Sequence, residues 1–338
     1  MKLGLQLGYW GAGPPANAAE LVDEAERAGF DAVFAAESWG SDAFTPLAWW
    51  GSRTSRVRLG TSVAQLSART PTACAMHALT LDHLSDGRAI LGLGVSGPQV
   101  VEGWYGVPFA KPLARTREYV SIIRQVFERR APVTNSGPHY PLPYPAGPGK
   151  PLKPIVHPLR ADLPIWLGAE GPRNVALAAE IADGWLAIYY SLAMAEQYNA
   201  WLDKGFAQRG GRPGGFEVAA SAQVVITDDP AAEIDRLRPV VALYAGGMGN
   251  FHAEVFGRMG YQGVVEEIGA LFRSGRKEDA ARAVPKELVE EIAIIGSPGR
   301  VRGRIAEWEA AGVTMLLVSC RDAGQVRALA DVVEHVLD

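Results

Sequence analysis

Two glycine-rich segments of the chain have the composition of anion-binding loops. Gly92–Gly97 reads Gly-Leu-Gly-Val-Ser-Gly, and Gly171–Asn174 reads Gly-Pro-Arg-Asn, which is typical of a helix start with proline in its first turn. Main-chain N–H groups at such positions attract phosphate, and Arg173 adds positive charge. We therefore predict anion sites at Ser96 and Gly97 and at Gly171–Asn174; a plain helix cap is the alternative for the second segment.

The first segment has the G-x-G-x-x-G spacing of a dinucleotide-binding loop, but its context does not fit one. Glu118 lies about the right distance downstream to bind a ribose. The segment follows the fourth predicted strand rather than the first, however, and Pro98, Gly103 and Gly106 interrupt the stretch where the phosphate-binding helix has to begin. A phosphate cradle at the rim of a barrel is the favoured interpretation.

Hydrolytic, metal and thiol chemistry find little support in the sequence. Pro98 stands where the nucleophile motif G-x-S-x-G requires its last glycine. No two of the six histidines have the i,i+4 spacing of a helical zinc site. Cys74 lies in a predicted helix, and Cys320 follows the last predicted strand with no histidine nearby in the sequence, so both are predicted to be packed and unreactive.

Short apolar runs, each followed by a helix-like stretch, recur along the whole chain. Several runs are continuous rather than alternating, which is typical of buried parallel strands. Eight such units predict either a closed (β/α)8 barrel, the TIM-barrel fold, or two doubly wound domains. The predicted strands are Lys2–Leu7, Asp31–Ala36, Val57–Val63, Arg88–Gly94, Pro164–Gly168, Trp185–Ile188, Phe216–Ile226 and Val313–Ser319.

No break in composition divides the chain into halves. We therefore favour one barrel domain over residues 1–338, with insertions at about 130–163 and 246–297 on its C-terminal face. Within the second insertion, Val264–Phe272 and Glu287–Ile295 are predicted to be helical.

The catalytic residues of such barrels lie at the carboxyl ends of the strands and in the loops that follow. In this chain those positions are rich in aromatic residues and glycines and poor in acid/base pairs, which suits a flat conjugated cofactor better than hydrolysis. They include Gly8, Tyr9, Trp10, Glu37, Ser38, Trp39, Ser62, Val63, Ala64, Gln65, Gly168, Ala169, Glu170, Tyr189 and Tyr190.

The composition of the 338 residues limits the partners of the chain. A hydrophobic fraction of 48% excludes a disordered chain, and a net charge of −4 argues against nucleic-acid binding, which needs a basic excess. No apolar stretch reaches the roughly 18–20 residues of a membrane span, and the start does not resemble a signal peptide. Because two cysteines suit a reducing compartment, we expect a cytoplasmic protein.

Several segments together resemble the bacterial luciferase-like monooxygenase superfamily. They are Ala28–Val33, Ser41–Leu47, Arg58–Val63 and Leu79–Arg88, the last running into Ile90–Gly94. The segment Ser96–Gly106 resembles the branch that uses the deazaflavin coenzyme F420. The resemblance covers most of the chain, and the second insertion is its least familiar part.

The resemblance implies a (β/α)8 barrel that binds a flavin or deazaflavin at the C-terminal mouth. The ring lies against a bulge in strand three, which in the F420 branch contains a non-prolyl cis peptide; the matching bond here is Ser62–Val63. Main-chain groups of Ala64 and Gln65 meet the pyrimidine edge of the ring. The residues that this resemblance assigns to the cofactor are Ser62, Val63, Ala64, Gln65, Ser96, Gly97, Gly168, Ala169, Glu170, Gly171, Pro172, Arg173 and Asn174. Basic residues available for its acidic tail are Arg69, Lys111, Arg115, Lys150, Lys153 and Arg173.

The sequence departs from some members of the F420 branch at the residues that move protons. Sugar-phosphate and alcohol dehydrogenases of the branch carry a histidine after strand two and a glutamate after the strand-four glycines; here the matching positions are Ser38 or Trp39, and Gly97. The predicted catalytic residues are instead Glu37, Tyr9 and Ser38, with Glu37 leading because it directly follows a strand. A structural carboxylate that binds loop amides is the alternative role for Glu37. The predicted substrate-contacting residues are Trp10, Trp39, Trp104, Tyr189 and His252, and the last two are further candidate proton donors.

The resemblance implies hydride transfer between F420 and a small organic substrate, which is a ketone or alcohol, an activated C=C bond or an imine. One alternative is an FMN-dependent monooxygenase that uses reduced flavin and oxygen. A second alternative is a barrel that binds a cofactor or ligand without turning it over. The family also implies a homo-oligomer, usually a dimer.

Overall fold

The chain folds as a closed barrel of parallel strands surrounded by helices in the computed structural model, which describes residues 1–247 and 250–334. The strands are β1 Lys2–Gln6, β2 Ala32–Ala35, β3 Arg58–Thr61, β4 Ala64–Gln65, β5 Ala89–Gly94, β6 Ile165–Gly168, β7 Gly184–Ala187, β8 Glu217–Ile226, β9 Ala293–Gly296 and β10 Met315–Val318.

The α-helices follow the strands along the chain, with a 3-10 turn at Leu192–Met194 and a π-helical turn at Gly257–Tyr261. They are α1 Ala18–Arg27, α2 Phe44–Gly51, α3 Pro71–Leu84, α4 Pro98–Val101, α5 Pro112–Glu128, α6 Pro172–Ile181, α7 Ala195–Arg209, α8 Pro230–Gly246, α9 Asn250–Phe256, α10 Gln262–Arg273, α11 Lys277–Arg282, α12 Lys286–Ile292, α13 Pro298–Ala310 and α14 Ala323–Glu334. No helix in the described ranges is long and apolar enough to cross a membrane.

Parallel pairing closes eight of the strands into a ring. The order around the barrel is β10, β1, β2, β3, β5, β6, β7 and β8, and β8 pairs again with β10. The short strand β4 follows β3 after a bulge and pairs with β5, where Ala64 lies opposite Leu93. The predicted TIM barrel is confirmed, and each predicted strand corresponds to one strand of the ring.

The second insertion contains a strand that the sequence did not predict. Helix α10 confirms the helix expected over Val264–Phe272, but the helix expected over Glu287–Ile295 ends at Ile292, and its last residues belong to β9. Strand β9 pairs in parallel with the outer half of β8, with Ile294 opposite Val224. The prediction was wrong here because a short, fully buried apolar run has no period that separates strand from helix.

Side chains fill the interior of the barrel. They form a buried apolar cluster, and the partly buried Val63 packs against it. The Phe34 ring fits there because Gly4 and Gly60 have no side chains; a Cβ on either would lie 2.9 Å or 2.2 Å from that ring. Since the interior is packed, the chemistry of the protein is confined to the ends of the strands. The cluster comprises Ala32, Phe34, Ile90, Trp166, Leu186, Ala219, Met315 and Leu317.

The proline-rich segment at residues 130–163, all of it described, forms one antiparallel bridge between Asn135 and Leu142 and no regular helix or strand. Arg160 anchors its end on the buried Asp82 carboxylate through a 2.7 Å hydrogen bond. The Glu118 carboxylate accepts the main-chain N–H groups of His139 and Tyr140. Glu118 therefore holds a loop in place, which agrees with our rejection of a dinucleotide-binding role for this residue.

Candidate functional site

A bulge at the mouth of the barrel separates β3 from β4. Its Ser62–Val63 peptide bond is cis, as the family resemblance implied. The Val63 side chain lies against two glycines: a Cβ on Gly94 would lie 2.5 Å from Val63 Cγ2, and one on Gly168 would lie 3.2 Å from Val63 Cγ1. Gly92 makes room for the Thr61 carbonyl oxygen in the same way, since a Cβ on Gly92 would lie 1.9 Å from that oxygen. The glycines of the G-x-G segment thus make room for the bulge.

Glu37 lies beneath the bulge, and both of its carboxylate oxygens are engaged. Oε2 accepts hydrogen bonds from the main-chain N–H of Gln65 at 2.7 Å and from Arg69 Nη1 at 3.0 Å, while Oε1 accepts from Arg69 Nη2. The Gln65 side-chain amide donates to the Glu37 carbonyl oxygen at 3.1 Å. The Glu37 and Arg69 side chains are 3% and 13% exposed, so this is a buried ion pair. The geometry favours the structural alternative for Glu37, and its catalytic role stays a prediction.

Both predicted anion sites lie at helix starts that have no side-chain cap. Helix α4 follows Ser96, whose φ of +58° is unusual for a residue other than glycine, and Gly97 is its N-cap residue. Helix α6 begins after Gly171, and no atom lies within 4 Å of a Cβ placed on that glycine. Free N–H groups at both starts, and the open space at Gly171, are what an anionic ligand needs.

The basic residues considered for an acidic tail differ in their surroundings. Arg69 is committed to Glu37, and Arg115 donates to the Tyr140 hydroxyl and to the Pro108 carbonyl oxygen. Arg173 is exposed on the first turn of α6. Lys111, Lys150 and Lys153 are exposed in loops.

The predicted aromatic contacts fall into two groups. Trp10 is half-buried and packs against Trp50 of α2, with ring centroids 6.1 Å apart, which gives it a packing role. Trp39 and Trp104 are 51% and 62% exposed in the loops after β2 and α4. Their surfaces are available to a ligand. Ser38 lies beside Trp39 and is partly exposed.

A second polar cluster brings together residues from distant parts of the chain. His252 Nδ1 of α9 lies 2.9 Å from Glu170 Oε1 in the loop after β6, an ion-pair distance at which the ring N–H is not aligned for a hydrogen bond. The His252 ring stands edge-on to Tyr189 and Tyr244, with centroids 5.6 Å and 5.0 Å apart. Arg258 donates to the Glu170 carbonyl oxygen at 3.0 Å. The insertion is thereby attached to the rim of the barrel.

The tyrosines of this cluster are held in the phenol form. Burial, followed by the nearby Tyr244 and Glu170, raises the pKa of Tyr9 to about 12. Burial also raises the pKa of Tyr189 well above its ordinary value. Tyr9 is 56% exposed as a whole and therefore borders solvent at the mouth. Such groups donate hydrogen bonds at neutral pH without ionising.

Sequence reasoning found Tyr9, Tyr189 and His252 but missed Tyr244 and Arg258. Tyr244 lies on α8 and Arg258 on the turn after α9, and neither directly follows a strand of the barrel. The contact between Glu170 and His252 was not predicted either, because the two residues are 82 positions apart and no local pattern links them.

The cysteines agree with their predicted packing roles. Cys74 is buried in α3, and burial raises the pKa of its thiol to about 11. Burial and the nearby Asp322 raise the pKa of Cys320 to about 12. Neither thiol is activated as a nucleophile. Within the described residues, no group of three or more potential metal ligands is present.

The sequence and the fold both match known proteins. The family model for luciferase-like monooxygenases matches residues 4–315. The chain is 67% identical to a Mycobacterium tuberculosis protein named provisionally as a coenzyme F420-dependent oxidoreductase, over 98% of this chain and 99% of that protein. It is 30% identical to 5,10-methylenetetrahydromethanopterin reductase of Archaeoglobus fulgidus, over 88% and 87% of the two chains.

A solved structure has the same architecture. The coenzyme F420 dependent tetrahydromethanopterin reductase from Methanopyrus kandleri superposes with a TM-score of 0.84 at 24% identity, over 99% of both chains. At this identity the match concerns the fold, and the family follows from the sequence comparisons. The chain therefore belongs to the luciferase-like monooxygenase family.

Proposed function

We propose that this protein is a coenzyme F420-dependent oxidoreductase that transfers a hydride between the deazaflavin ring and a small organic substrate. The observation that carries the proposal is the bulge between β3 and β4. Val63 covers the packed interior of the barrel, and Gly94 and Gly168 place no side chain beside it. This apolar platform suits a flat ring, and the names of the M. tuberculosis and M. kandleri relatives support F420 over FMN.

The chain offers contacts for both ends of such a cofactor. We assign the ring to Ser62, Val63, Ala64 and Gln65, and the phosphate and its acidic tail to Ser96, Gly97 and residues 168–174. Support comes from the uncapped helix starts at Gly97 and Gly171 and from the exposed Arg173. A pair of preformed N–H sites next to one apolar platform is what a molecule with a flat head and a charged tail requires.

F420, when bound, supplies two-electron chemistry as a hydride and reacts poorly with oxygen. The residues of the chain have to hold the two reactants face to face, exclude water and supply or remove a proton. For Glu37 we propose a positioning role, since Gln65 and Arg69 occupy its carboxylate. Tyr9 and Ser38 remain proposed catalytic residues. We place Trp39, Trp104, Tyr189 and His252 along the substrate, and Trp10 behind them.

Turnover with a defined set of acceptors tests this proposal. The purified protein is mixed anaerobically with reduced F420 and with cyclohexanone, cyclohex-2-en-1-one or 2-methyl-1-pyrroline, and F420 oxidation is followed by absorbance. We expect oxidation that depends on one of these acceptors. Substrate oxygenation that requires reduced FMN and oxygen would instead assign the protein to the FMN-dependent monooxygenases. F420 binding without turnover of any acceptor would favour a ligand-binding barrel.

We further propose that residues 1–338 form one barrel domain and that the protein assembles as a homodimer. Light scattering of the purified chain gives its mass in solution and decides the second point.

A further inference from the structure

Three tyrosine hydroxyls at the mouth of the barrel have no hydrogen-bond partner among the described residues. Tyr9 follows β1, Tyr189 follows β7, and Tyr244 lies on α8. Tyr189 packs edge-on against Tyr244, with centroids 5.6 Å apart, and is in contact with Phe256 of α9. Each hydroxyl is therefore a donor that a ligand can still engage.

Tyr189 is held in its position by its backbone and its neighbours. Its φ of +53° lies in the left-handed region, which a bulky residue seldom adopts and which clusters at functional sites. Strand β7 lies three strands away from β3 around the eight-stranded ring, so Tyr189 stands across the mouth from the Val63 bulge. A ring bound against Val63 would leave the opposite side of the mouth, where Tyr189 lies, for the substrate.

His252 and Glu170 complete an acid/base assembly beside that tyrosine. The Glu170 carboxylate faces His252 Nδ1 at 2.9 Å, and each of the two side chains is 20% exposed. The titratable and charged groups that face Tyr189 from the surrounding elements are Tyr9, Glu170, Tyr244 and His252, with Arg258 bound to the Glu170 main chain. A carboxylate beside one nitrogen of an imidazole helps to fix the position of its ring.

We propose that Tyr9 and Tyr189 bind the oxygen of a carbonyl substrate, that Tyr189 protonates this oxygen, and that Glu170 and His252 are positioning residues that restore the Tyr189 proton. This inference rests on the proposed function and narrows its substrate class to aldehydes and ketones. Phenol groups donate to an oxygen acceptor. A protonated imine would favour a carboxylate partner, and one oxygen of the Glu170 carboxylate already faces His252.

The step balances in electrons and protons. The hydride supplied by reduced F420 forms a C–H bond at the carbonyl carbon, and the π pair of the C=O bond moves to the oxygen. That oxygen takes the phenol proton of Tyr189 and becomes an alcohol. The phenolate then takes a proton from His252. Solvent returns a proton to His252. The carbonyl compound is reduced and F420 is oxidised.

The test compares Tyr189→Phe with Tyr190→Phe, since Tyr190 is a buried neighbour that packs against Trp308 and stands outside the site. Reduced F420 and cyclohexanone are the probes, and the Kd of F420 is measured separately by fluorescence. We expect Tyr189→Phe to lower kcat at least ~100-fold with a Kd of F420 within about twofold of the wild type. Tyr190→Phe should retain the wild-type kcat.

The pH profile separates a positioning role from a merely structural one. His252→Gln and Glu170→Gln should lower kcat and alter its dependence on pH, while folding, followed by circular dichroism, stays intact. Unchanged kcat in Tyr189→Phe overturns the inference, as does turnover of 2-methyl-1-pyrroline in the absence of any carbonyl reduction. If F420 does not bind the wild-type protein, or binds without turnover of any acceptor, the proposed function itself fails; turnover of a non-carbonyl acceptor without carbonyl reduction contradicts this inference alone.

Discussion

The main-chain N–H of Gln65 donates a 2.7 Å hydrogen bond to the Glu37 carboxylate, which also forms a buried ion pair with Arg69. The contact joins the loop after β2 to the last residue of β4. Because the cofactor platform lies between these elements, the shape of the mouth depends on a carboxylate that need not touch any ligand.

Glu37→Gln should destabilise the protein by about 3–5 kcal/mol, because Arg69 would be left buried without its anionic partner. Urea unfolding followed by circular dichroism measures the loss. The control is Glu180→Gln, which breaks a pair whose Arg117 partner is half exposed and should cost less than about 1 kcal/mol. If Glu37→Gln keeps its stability but loses turnover at least ~100-fold, the carboxylate is a proton-transfer group after all.

Gly94→Ala should weaken F420 binding at least ~10-fold, because its new Cβ would lie 2.5 Å from Val63 Cγ2 and displace that side chain. Adding Val63→Ala removes the Cγ2 atom that the new Cβ would meet. The double variant should therefore bind F420 more tightly than the summed losses of the two single variants predict. Gly40→Ala is the control, since no atom lies within 4 Å of a Cβ there. Strictly additive effects of Gly94→Ala and Val63→Ala would show that the contact does not shape the platform.

Arg173→Gln should weaken F420 binding by about three- to tenfold at low ionic strength, and the loss should shrink as salt is added. The exposed Lys204 of α7 provides a charge-matched control, Lys204→Gln. The tail-less deazaflavin FO carries no phosphate, so its affinity should not change in Arg173→Gln. Equal losses for F420 and FO would mean that Arg173 contacts the ring end or acts through the fold.

Tyr9 should titrate with a pKa of about 12, because burial disfavours its phenolate. The difference in tyrosinate absorbance between the wild type and Tyr9→Phe isolates this group. Since the folded-state pKa is raised above the unfolded value, the contribution of Tyr9 to stability is complete below pH ~10 and is lost as the pH rises towards 12. A difference signal centred near pH 10 would place the hydroxyl in open solvent and contradict its burial at the mouth.

The sequence was sufficient for the barrel because its buried strands are continuous apolar runs at βα spacing. It failed at β9, where Ile294 and Ile295 continue the apolar pattern of a helix and only the free edge of β8 decides their conformation. A local pattern contains no information about an edge made by a distant strand.

The candidate site could be predicted in part. Glycine spacing identified the two helix starts, since those depend on local conformation, whereas the bulge and its cis peptide were implied by the family resemblance. The Glu37–Arg69 pair and the Glu170–His252 pair depend on contacts across 32 and 82 positions, which no spacing rule reveals. For the same reason, no signal in the sequence indicated that Tyr244 of α8 lies beside His252.

The central claim is that this mouth binds a deazaflavin, and a direct titration tests it. The purified apo-protein is titrated with F420 and, separately, with FMN, and ligand fluorescence gives both dissociation constants. We expect micromolar or tighter binding of F420 and at least ~100-fold weaker binding of FMN, a difference of about 2.7 kcal/mol. Preferential binding of FMN would contradict deazaflavin binding and assign the protein to the oxygen-using members of its family.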